Sequence, residues 1–401
     1  MKRTVLIAIL TITTVSFVKA NGKIIPGDAN DDGVVNVADI VLVTNYILGK
    51  STDNFNVEGA DVNNDGSINA TDIVAIVSMI VAPNTKNYSF ALLSQSVVYD
   101  NSNHAAFTSI YDNDGQLLMA FREGTAHRPA SEAEYGCIRV LTQNGGGSLW
   151  SVSATISDVT KDLRDPFITD VNGHLRMYIG YNTFEEGVYQ HSGTVYSDYI
   201  NGSWSEVRAV THDLNHIAWL WKVREHNNKY YSVAYLEGEK PALLVSDDGV
   251  NWSTVTFFDL EGILTEADMC FVGETMYVCL RKDTPVSEPA YWGVASYPFK
   301  SFTWTEMERH IESPELLWLP YSDKLLLAGR DVKTTGEVNV TLFSASFDGS
   351  VEEITTMETS IGGDKGYPGL AYRNGTLYCG WYSGTKSAAS ISLTTWKVDE
   401  Q

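Results

Sequence analysis

The chain has 401 residues, with 50 acidic side chains against 28 basic ones and a formal net charge of −22 at pH 7. A surplus of that size opposes encounter with nucleic acid or an anionic membrane, so neither is expected as a partner, and an anionic ligand has to be held by locally placed cations. The length exceeds one ordinary compact core and suits a small module followed by a large one.

Residues 1–20 read as a secretory signal peptide. Lys2 and Arg3 precede the apolar run Val5 to Val18, and small Ala20 ends the segment at a site suited to cleavage. That run is shorter than the ~20 residues a spanning helix needs, and no later segment is expected to cross a membrane. The mature protein is therefore expected to be secreted, acting extracellularly or in a cell-surface complex, with the periplasm as an alternative, and to be a monomer. Cys137, Cys270, Cys279 and Cys379 are too few and too widely spread for a cystine-stapled framework, so buried free thiols are expected.

The next segment has the pattern of a calcium site, written twice. Asp28, Asn30, Asp32, Val34, Asn36 and Asp39, with Gly33 among them, recur 33 residues later as Asp61, Asn63, Asp65, Ser67, Asn69 and Asp72, with Gly66. Oxygen donors at those intervals, with Gly at the sharp turn, are what a hard cation needs. Each loop runs into an apolar helix, expected over 40–48 and 73–80. Nine acidic residues lie between Asp28 and Asp72 against the single Lys50, a density that repels itself without bound cations.

Over roughly residues 26–82 this pattern resembles a dockerin domain, the calcium-binding module by which secreted enzymes of some anaerobic bacteria attach to a cohesin. In that family the last ligand position is Asp rather than Glu, as Asp39 and Asp72 are here. The resemblance implies a small all-α fold, two bound Ca2+ ions and a cohesin-bearing partner met by the paired helices. Residues 83–88 are polar and turn-rich and are expected to be a linker.

From residue 89 to 401 one short pattern occurs six times: an apolar run, a turn, a second apolar run, then a polar or aromatic residue. The turns fall at Asp114-Gly115, Asn172-Gly173, Asn227-Asn228, Gly273-Glu274, Ser322-Asp323 and Asn374-Gly375, about 45 to 58 residues apart. One four-stranded sheet per repeat predicts a mainly β fold, a six-bladed β-propeller. In a propeller the first strand of each blade lines the central channel, so Arg122, Asp165, Glu266, Arg281, Arg330 and Tyr367 are expected to converge on one mouth. Trp219, Trp221, Tyr181 and Tyr235 are expected on the same face, partly as core and partly to stack on sugar rings. Arg139 and Arg224 are expected to be ion-paired.

Ser246, Asp248, Gly249 and Trp252 form a near-complete Asp box, with degraded copies at Asn144-Gly145 and at Ser346, Asp348 and Gly349. With the six hairpins, these make the large module resemble the sialidase-type propellers. In that family a Glu opens one blade and an Arg closes the second strand of the same blade, as Glu266 and Arg281 do here. A later Arg is matched by Arg330, and the nucleophilic Tyr of the last blade by Tyr367. The resemblance implies an exo-α-sialidase-like glycoside hydrolase: Tyr367 attacks, Glu266 takes its proton, and Arg281 and Arg330 grip the carboxylate of a terminal acidic sugar. The family's first arginine normally follows a Phe, but Thr108 follows Phe107, which leaves Arg122 or Arg164 to supply that charge. The acid/base position has no direct match, and Glu123, His127 and Asp165 are the candidates. Trp221 joins them as a substrate-binding aromatic.

Two alternatives stay open. A non-catalytic glycan-binding propeller needs the arginines and aromatics but not the pairing of Glu266 with Tyr367. A glycosidase for another sugar would use two carboxylates, such as Glu123 or Asp165 with Glu266. The charged mouth is also open to reading as a structural salt-bridge network.

Overall fold

The computed structural model describes residues 25–401, apart from 33–34, 53, 64, 82–85, 144–148, 237, 284–287 and 362. The expected signal peptide, Gly33, Val34, Asn144-Gly145 and the first part of the expected linker lie outside the described residues. The chain divides into two compact units, Met1–Thr85 and Lys86–Gln401.

In the first unit the duplication is visible atom by atom. Helix Val37–Ile47 starts at a capping box, in which Ala38 N donates to Asn36 Oδ1 and Asn36 N donates to Asp39 Oδ2. Helix Ala70–Val81 repeats this, with Thr71 N donating to Asn69 Oδ1 and Asn69 N to Asp72 Oδ2. Val43 and Ile76, one repeat apart, meet in a small core with Ala29 and Ala60. A short third helix, Val57–Ala60, lies between the two in sequence.

The second unit is mainly β and propeller-like, and among the described residues its strands form five sheets. Four stand alone, with inner strands Asp162–Val171, Trp219–His226, Ile263–Val272 and Ile311–Trp318, and their pairing is antiparallel except where the short strand Thr211–His212 runs parallel to Asn251–Phe257. The fifth has eight strands, because the run starting at Asp364–Arg373 joins the run starting at His104–Asn113. The expectation of six separate blades is corrected accordingly: the structure has four separate blade sheets and one fused sheet. The fusion lies at the ring seam, where His104 and Ala389 form a parallel bridge and Ala389 N donates to Asn103 O at 3.1 Å, carrying the ladder across. Strand Tyr88–Tyr99 then pairs antiparallel with the C-terminal strand Ala389–Glu400. Lys86, expected in the linker, already forms a bridge to Ser322 in this unit.

The turns explain why these segments become hairpins. Asp114-Gly115, Asn172-Gly173, Asn227-Asn228 and Asn374-Gly375 all hold positive φ at both positions, the geometry whose twist matches paired strands. The expected turn at Ser322-Asp323 is different. The strands end and begin at Trp318 and Lys324, so the connection is a longer loop with Tyr321 in the left-handed region. The Asp box behaves as a tied turn, in which Gly249 N donates to Ser246 Oγ, and Val250 N and Asn251 N donate to Asp248 Oδ1.

Apolar side chains pack between successive sheets rather than in one central core. Leu118, Ile138 and Val140 meet Ile168, Met177 and Val195, and Phe167 and Tyr178 meet Leu220 and Trp252. All four cysteines are free thiols, with Cys279 and Cys379 buried. Among the described residues no helix is long and apolar enough to cross a membrane.

One buried ion pair links two neighbouring sheets. Arg122, fully buried, donates through Nε and Nη2 to Asp162 Oδ1 at 3.1 and 2.7 Å, and through Nη1 to Ala126 O. Gly124 and Gly136 make room for it, since a Cβ on either would lie 2.7 or 2.5 Å from the guanidinium. Truncating one member of such a pair strands the other charge. Arg122→Ala is therefore expected to lower unfolding free energy by about 3–5 kcal/mol in urea titration, and an unchanged midpoint would contradict this structural role.

Candidate functional site

The first strand of every repeat breaks its ladder at the same place. The register shifts lie between Ala106 and Ser109, Arg164 and Pro166, Trp221 and Arg224, Leu264 and Ala267, Glu312 and Glu315, and Gly366 and Gly369. Phe107, Asp165, Lys222, Ser313 and Tyr367 occupy the left-handed region there, with φ of 65°, 47°, 52°, 47° and 47°. A bulge of this kind re-aims a side chain. The fourth strand supplies Glu266 at its bulge.

Three of these bulges are tied together. Tyr367 Oη donates to Glu266 Oε1, Ser313 N donates to Glu266 Oε2 at 2.7 Å, and Tyr367 N donates to Ser313 Oγ at 3.2 Å. Arg281 Nη1 lies 2.8 Å from Glu266 Oε2. Burial, then the charge of Glu266, pushes the Tyr367 hydroxyl well above its usual pKa, against the pull of Arg281 and Arg330.

These groups lie on a cleft of about 460 Å³, within the usual size of a ligand pocket. Its lining includes Asp165, Glu266, Arg164, Arg281, Arg330, His127 and Tyr367, together with Trp219, Trp221 and Tyr235. Asp165 sits 3.5 Å from Arg164 Nε, and its Oδ1 is buried without a hydrogen-bond partner. Burial raises the Asp165 pKa to about 7, opposed by Arg164 and reinforced by Glu266. Trp221 Nε1, Thr265 Oγ1 and Arg281 Nε are likewise buried without partners. Such groups in a cleft wall are the expected hydrogen-bonding equipment for a polar ligand.

Some expected site residues stand elsewhere. Arg122 is committed to Asp162 beneath the two glycines and does not line the cleft. Glu123 points to the opposite face of the strand, accepting from Tyr99 Oη, Asn101 Nδ2 and Asn103 Nδ2 at 2.7 Å each and from Arg139 Nε at 2.6 Å. Those donors hold its pKa down at about 2 despite its burial. Arg139 is thus paired, as is Arg224, whose Nε donates to Asp268 at 2.9 Å. Tyr181 does not line the cleft.

Residues that no sequence motif singled out hold the charged groups of the cleft from behind or beside it. Glu312 lies between the two arginines, Oε1 at 3.1 Å from Arg281 Nη2 and Oε2 at 2.8 Å from Arg330 Nη1. Asp364 accepts from Tyr382 Oη at 2.7 Å and lies against both His104 Nε2 at 2.8 Å and His127 Nδ1 at 2.6 Å. The ligating atoms of that His, His and Asp group lie within 4.8 Å of one another, and their mutual hydrogen bonds account for the arrangement. Arg128 stands exposed on the cleft wall. Register was the signal for Glu312, which pairs directly with Arg330.

The duplicated acidic loops of the first unit present their own chemistry. Ala29 N donates to Asp39 Oδ1 and, one repeat on, Val62 N donates to Asp72 Oδ1. Asp28, Asp39 and Asp72 are almost wholly buried. Burial, with the nearby charge of Asp28, raises the Asp39 pKa, a tension that a hard cation among carboxylate and amide oxygens relieves. The donor set fits Ca2+.

Residues 26–80 match the family model described as Dockerin type I domain. No curated protein matches the chain. Among solved structures, a protein of unknown function from Dyadobacter fermentans is 16% identical, with 78% of this chain and 100% of that one covered and a TM-score of 0.61. An alpha-L-arabinanase of Penicillium chrysogenum, complexed with arabinobiose, is 15% identical over 75% of this chain and 98% of its own, with a TM-score of 0.55. The NanB sialidase of Streptococcus pneumoniae is 10% identical over 77% and 70%, with a TM-score of 0.56. At these identities the likeness is one of fold: a propeller shared by glycoside hydrolases of differing specificity.

Asp165 makes the cleft sensitive to pH in a defined direction. Its folded pKa of about 7 lies above the unfolded value of about 3.9, so its contribution to stability is full below that lower value and is lost as pH rises through 7. The stability of the wild type minus that of Asp165→Asn is expected to fall between those pH values in denaturant titrations. A flat difference would place the Asp165 pKa near its ordinary value.

Proposed function

We propose that the propeller-like unit is a glycoside hydrolase in which Asp165 is the acid and base and the Tyr367–Glu266 pair supplies the nucleophile. The observation that carries the reading is a carboxyl held near pKa 7, with a buried unpartnered oxygen, on the same cleft as a hydrogen-bonded Tyr and Glu. Two titratable groups in environments that set them apart are the usual mark of an acid and a nucleophile or base. A purely glycan-binding cleft has no use for a protonatable Asp165.

In the first step Asp165 gives its proton to the glycosidic oxygen as that oxygen leaves the anomeric carbon. In the form implied by the sialidase resemblance, Tyr367 Oη bonds to that carbon and its proton passes to Glu266 Oε1 along the existing hydrogen bond. Asp165, now ionised, takes a proton from water as the water oxygen displaces Tyr367, and Glu266 returns its proton to Tyr367. That form suits a terminal acidic sugar, whose own carboxylate would repel an anionic nucleophile, with Arg281, Arg330 and Arg164 as the cations at hand.

A second form has Glu266 attack directly, with Tyr367 steadying it, as in two-carboxylate glycosidases. The carboxylate of Glu312 across Arg281 and Arg330 favours it, as does the elevated pKa of Tyr367. Trp219, Trp221 and Tyr235 then offer stacking faces to the sugar.

The first unit, in this proposal, docks the secreted enzyme to a cohesin-bearing protein. Two Ca2+ ions would be held by Asp28, Asn30, Asp32, Val34, Asn36 and Asp39 and by Asp61, Asn63, Asp65, Ser67, Asn69 and Asp72. Each ion would supply the positive charge that lets the buried carboxylates stay ionised.

On a panel of sialosides and neutral glycosides the purified protein should hydrolyse at least one class, and Asp165→Asn and Glu266→Gln should each lower kcat by about 10²–10⁴-fold with ligand binding retained. Mass spectrometry after a slow fluorinated glycoside separates the two forms by showing the sugar on Tyr367 or on Glu266. Full turnover in both variants would sink the catalytic reading. Separately, a chelator should abolish capture by an immobilised cohesin and calcium should restore it, whereas capture indifferent to chelation would remove the metal from the docking account.

A further inference from the structure

We infer that Glu312 fills the place where the two arginines would receive a substrate carboxylate, so that the sugar bound at the reacting end of this cleft is uncharged. This deepens the glycosidase reading and rests on it.

Arg281 and Arg330 already hold carboxylates of the protein itself. Arg281 faces Glu266 through Nη1 at 2.8 Å, and Asp283 and Glu312 through Nη2 at 3.0 and 3.1 Å. Arg330 faces Glu312 through Nη1 at 2.8 Å, donates to Tyr382 Oη through Nη2 at 2.9 Å, and donates to Lys365 O through Nε. One oxygen of Glu312 goes to each guanidinium, which is the arrangement a bound sugar carboxylate would adopt. His310 Nε2, at 3.1 Å from Oε1, fixes the same carboxyl from the side. Against its burial, the hydrogen bond from His310 and the charges of Arg281 and Arg330 hold Glu312 well below the usual carboxylate range, so it stays ionised.

A second carboxylate entering here would meet an anion already in place, in a protein whose net charge also opposes it. Displacing Glu312 would leave a desolvated charge unpaired, which is strongly unfavourable. Arg128 on the cleft wall is exposed, where solvent and salt screen its charge, and Arg164 offers no alternative buried seat. Its partners are Asp162 and Asp165, each at 3.5 Å, and its guanidinium lies 4.6 Å from the Phe107 ring centroid. What the cleft wall does leave unsatisfied suits hydroxyl groups: Trp221 Nε1, Thr265 Oγ1, Asp165 Oδ1 and Arg281 Nε. Stacking faces beside hydrogen-bonding groups fit a neutral sugar ring, with its apolar face and its rim of hydroxyls.

The test compares N-acetylneuraminic acid with its methyl ester, two ligands that differ in one charge, by calorimetric titration of the full chain. The wild type should bind the acid no more tightly than the ester. Glu312→Ala should uncover the arginines and prefer the acid by at least tenfold, with a preference that weakens as salt is added. Glu312→Gln is measured alongside, so that a poorly folded Ala variant does not end the experiment. A wild-type preference for the acid that Arg281→Ala abolishes would overturn the inference, as would the absence of any gain in the Glu312 variants. If the gain appears but the wild type cleaves no glycoside, the filled seat stands and the hydrolase reading falls.

Discussion

Glu266 is the interaction on which the rest of the cleft depends. Its carboxylate accepts from Tyr367 Oη on one strand and from the Ser313 amide on another, while the Tyr367 amide donates back to Ser313 Oγ. Three successive inner strands are therefore locked to one another at their bulges, in a closed triangle of hydrogen bonds. Ser313 and Tyr367 sit at left-handed φ, which costs an L-residue roughly 1–2 kcal/mol, and strain of that kind persists only where the surroundings over-determine it. Glu266 is absent from the residues with positive φ and is held instead by its donors. The acceptor is fixed by hydrogen bonding, and the groups around it are fixed by backbone strain.

Charge in this unit is arranged by pairing. Buried or partly buried arginines lie where a carboxylate meets them: Arg122 with Asp162, Arg176 with Asp198, Arg224 with Asp268, and Arg281 and Arg330 with Glu312. Asp165 is the exception, because Arg164 is shared with Asp162 and stands too far from Asp165 for a short ion pair. A carboxyl that is buried yet only partly compensated drifts toward neutrality, whereas Glu123 and Glu312, ringed by donors, remain ionised. The division between acid and anion follows from how many donors each carboxyl was given.

Much of this was legible in the sequence. Asn-Gly and Asp-Gly turns announce hairpins because few other residues accept positive φ twice in succession, and hairpin return brings Glu266, Arg281, Arg330 and Tyr367 to one end. The duplicated loop positions were readable because backbone geometry sets the intervals at which a tight acidic loop can turn its oxygens inward. Arg122 misled because nothing in its own segment shows that Gly124 and Gly136 leave a hole for the guanidinium. Glu123 misled for a period-two reason: beside Arg122 on the same strand, it necessarily faces the other way. The seam that fuses the first and last sheets depends on residues nearly three hundred positions apart, beyond the reach of any local pattern.

Glu312 shows the limit most plainly. It stands one residue before the bulge at Ser313, in a segment where no turn or motif singles it out. An arginine matched to a family motif carries the family's expected ligand with it, but a guanidinium binds whatever carboxylate lies nearest, and here that carboxylate belongs to the protein. The motif is carried by Glu266, Arg281, Arg330 and Tyr367, whereas the charge available to a substrate is decided by a residue outside it. Propellers that cleave sialosides and propellers that cleave arabinans share this fold, and a single glutamate placed between two arginines is sufficient physical cause for a cleft of this kind to change the sugar it accepts.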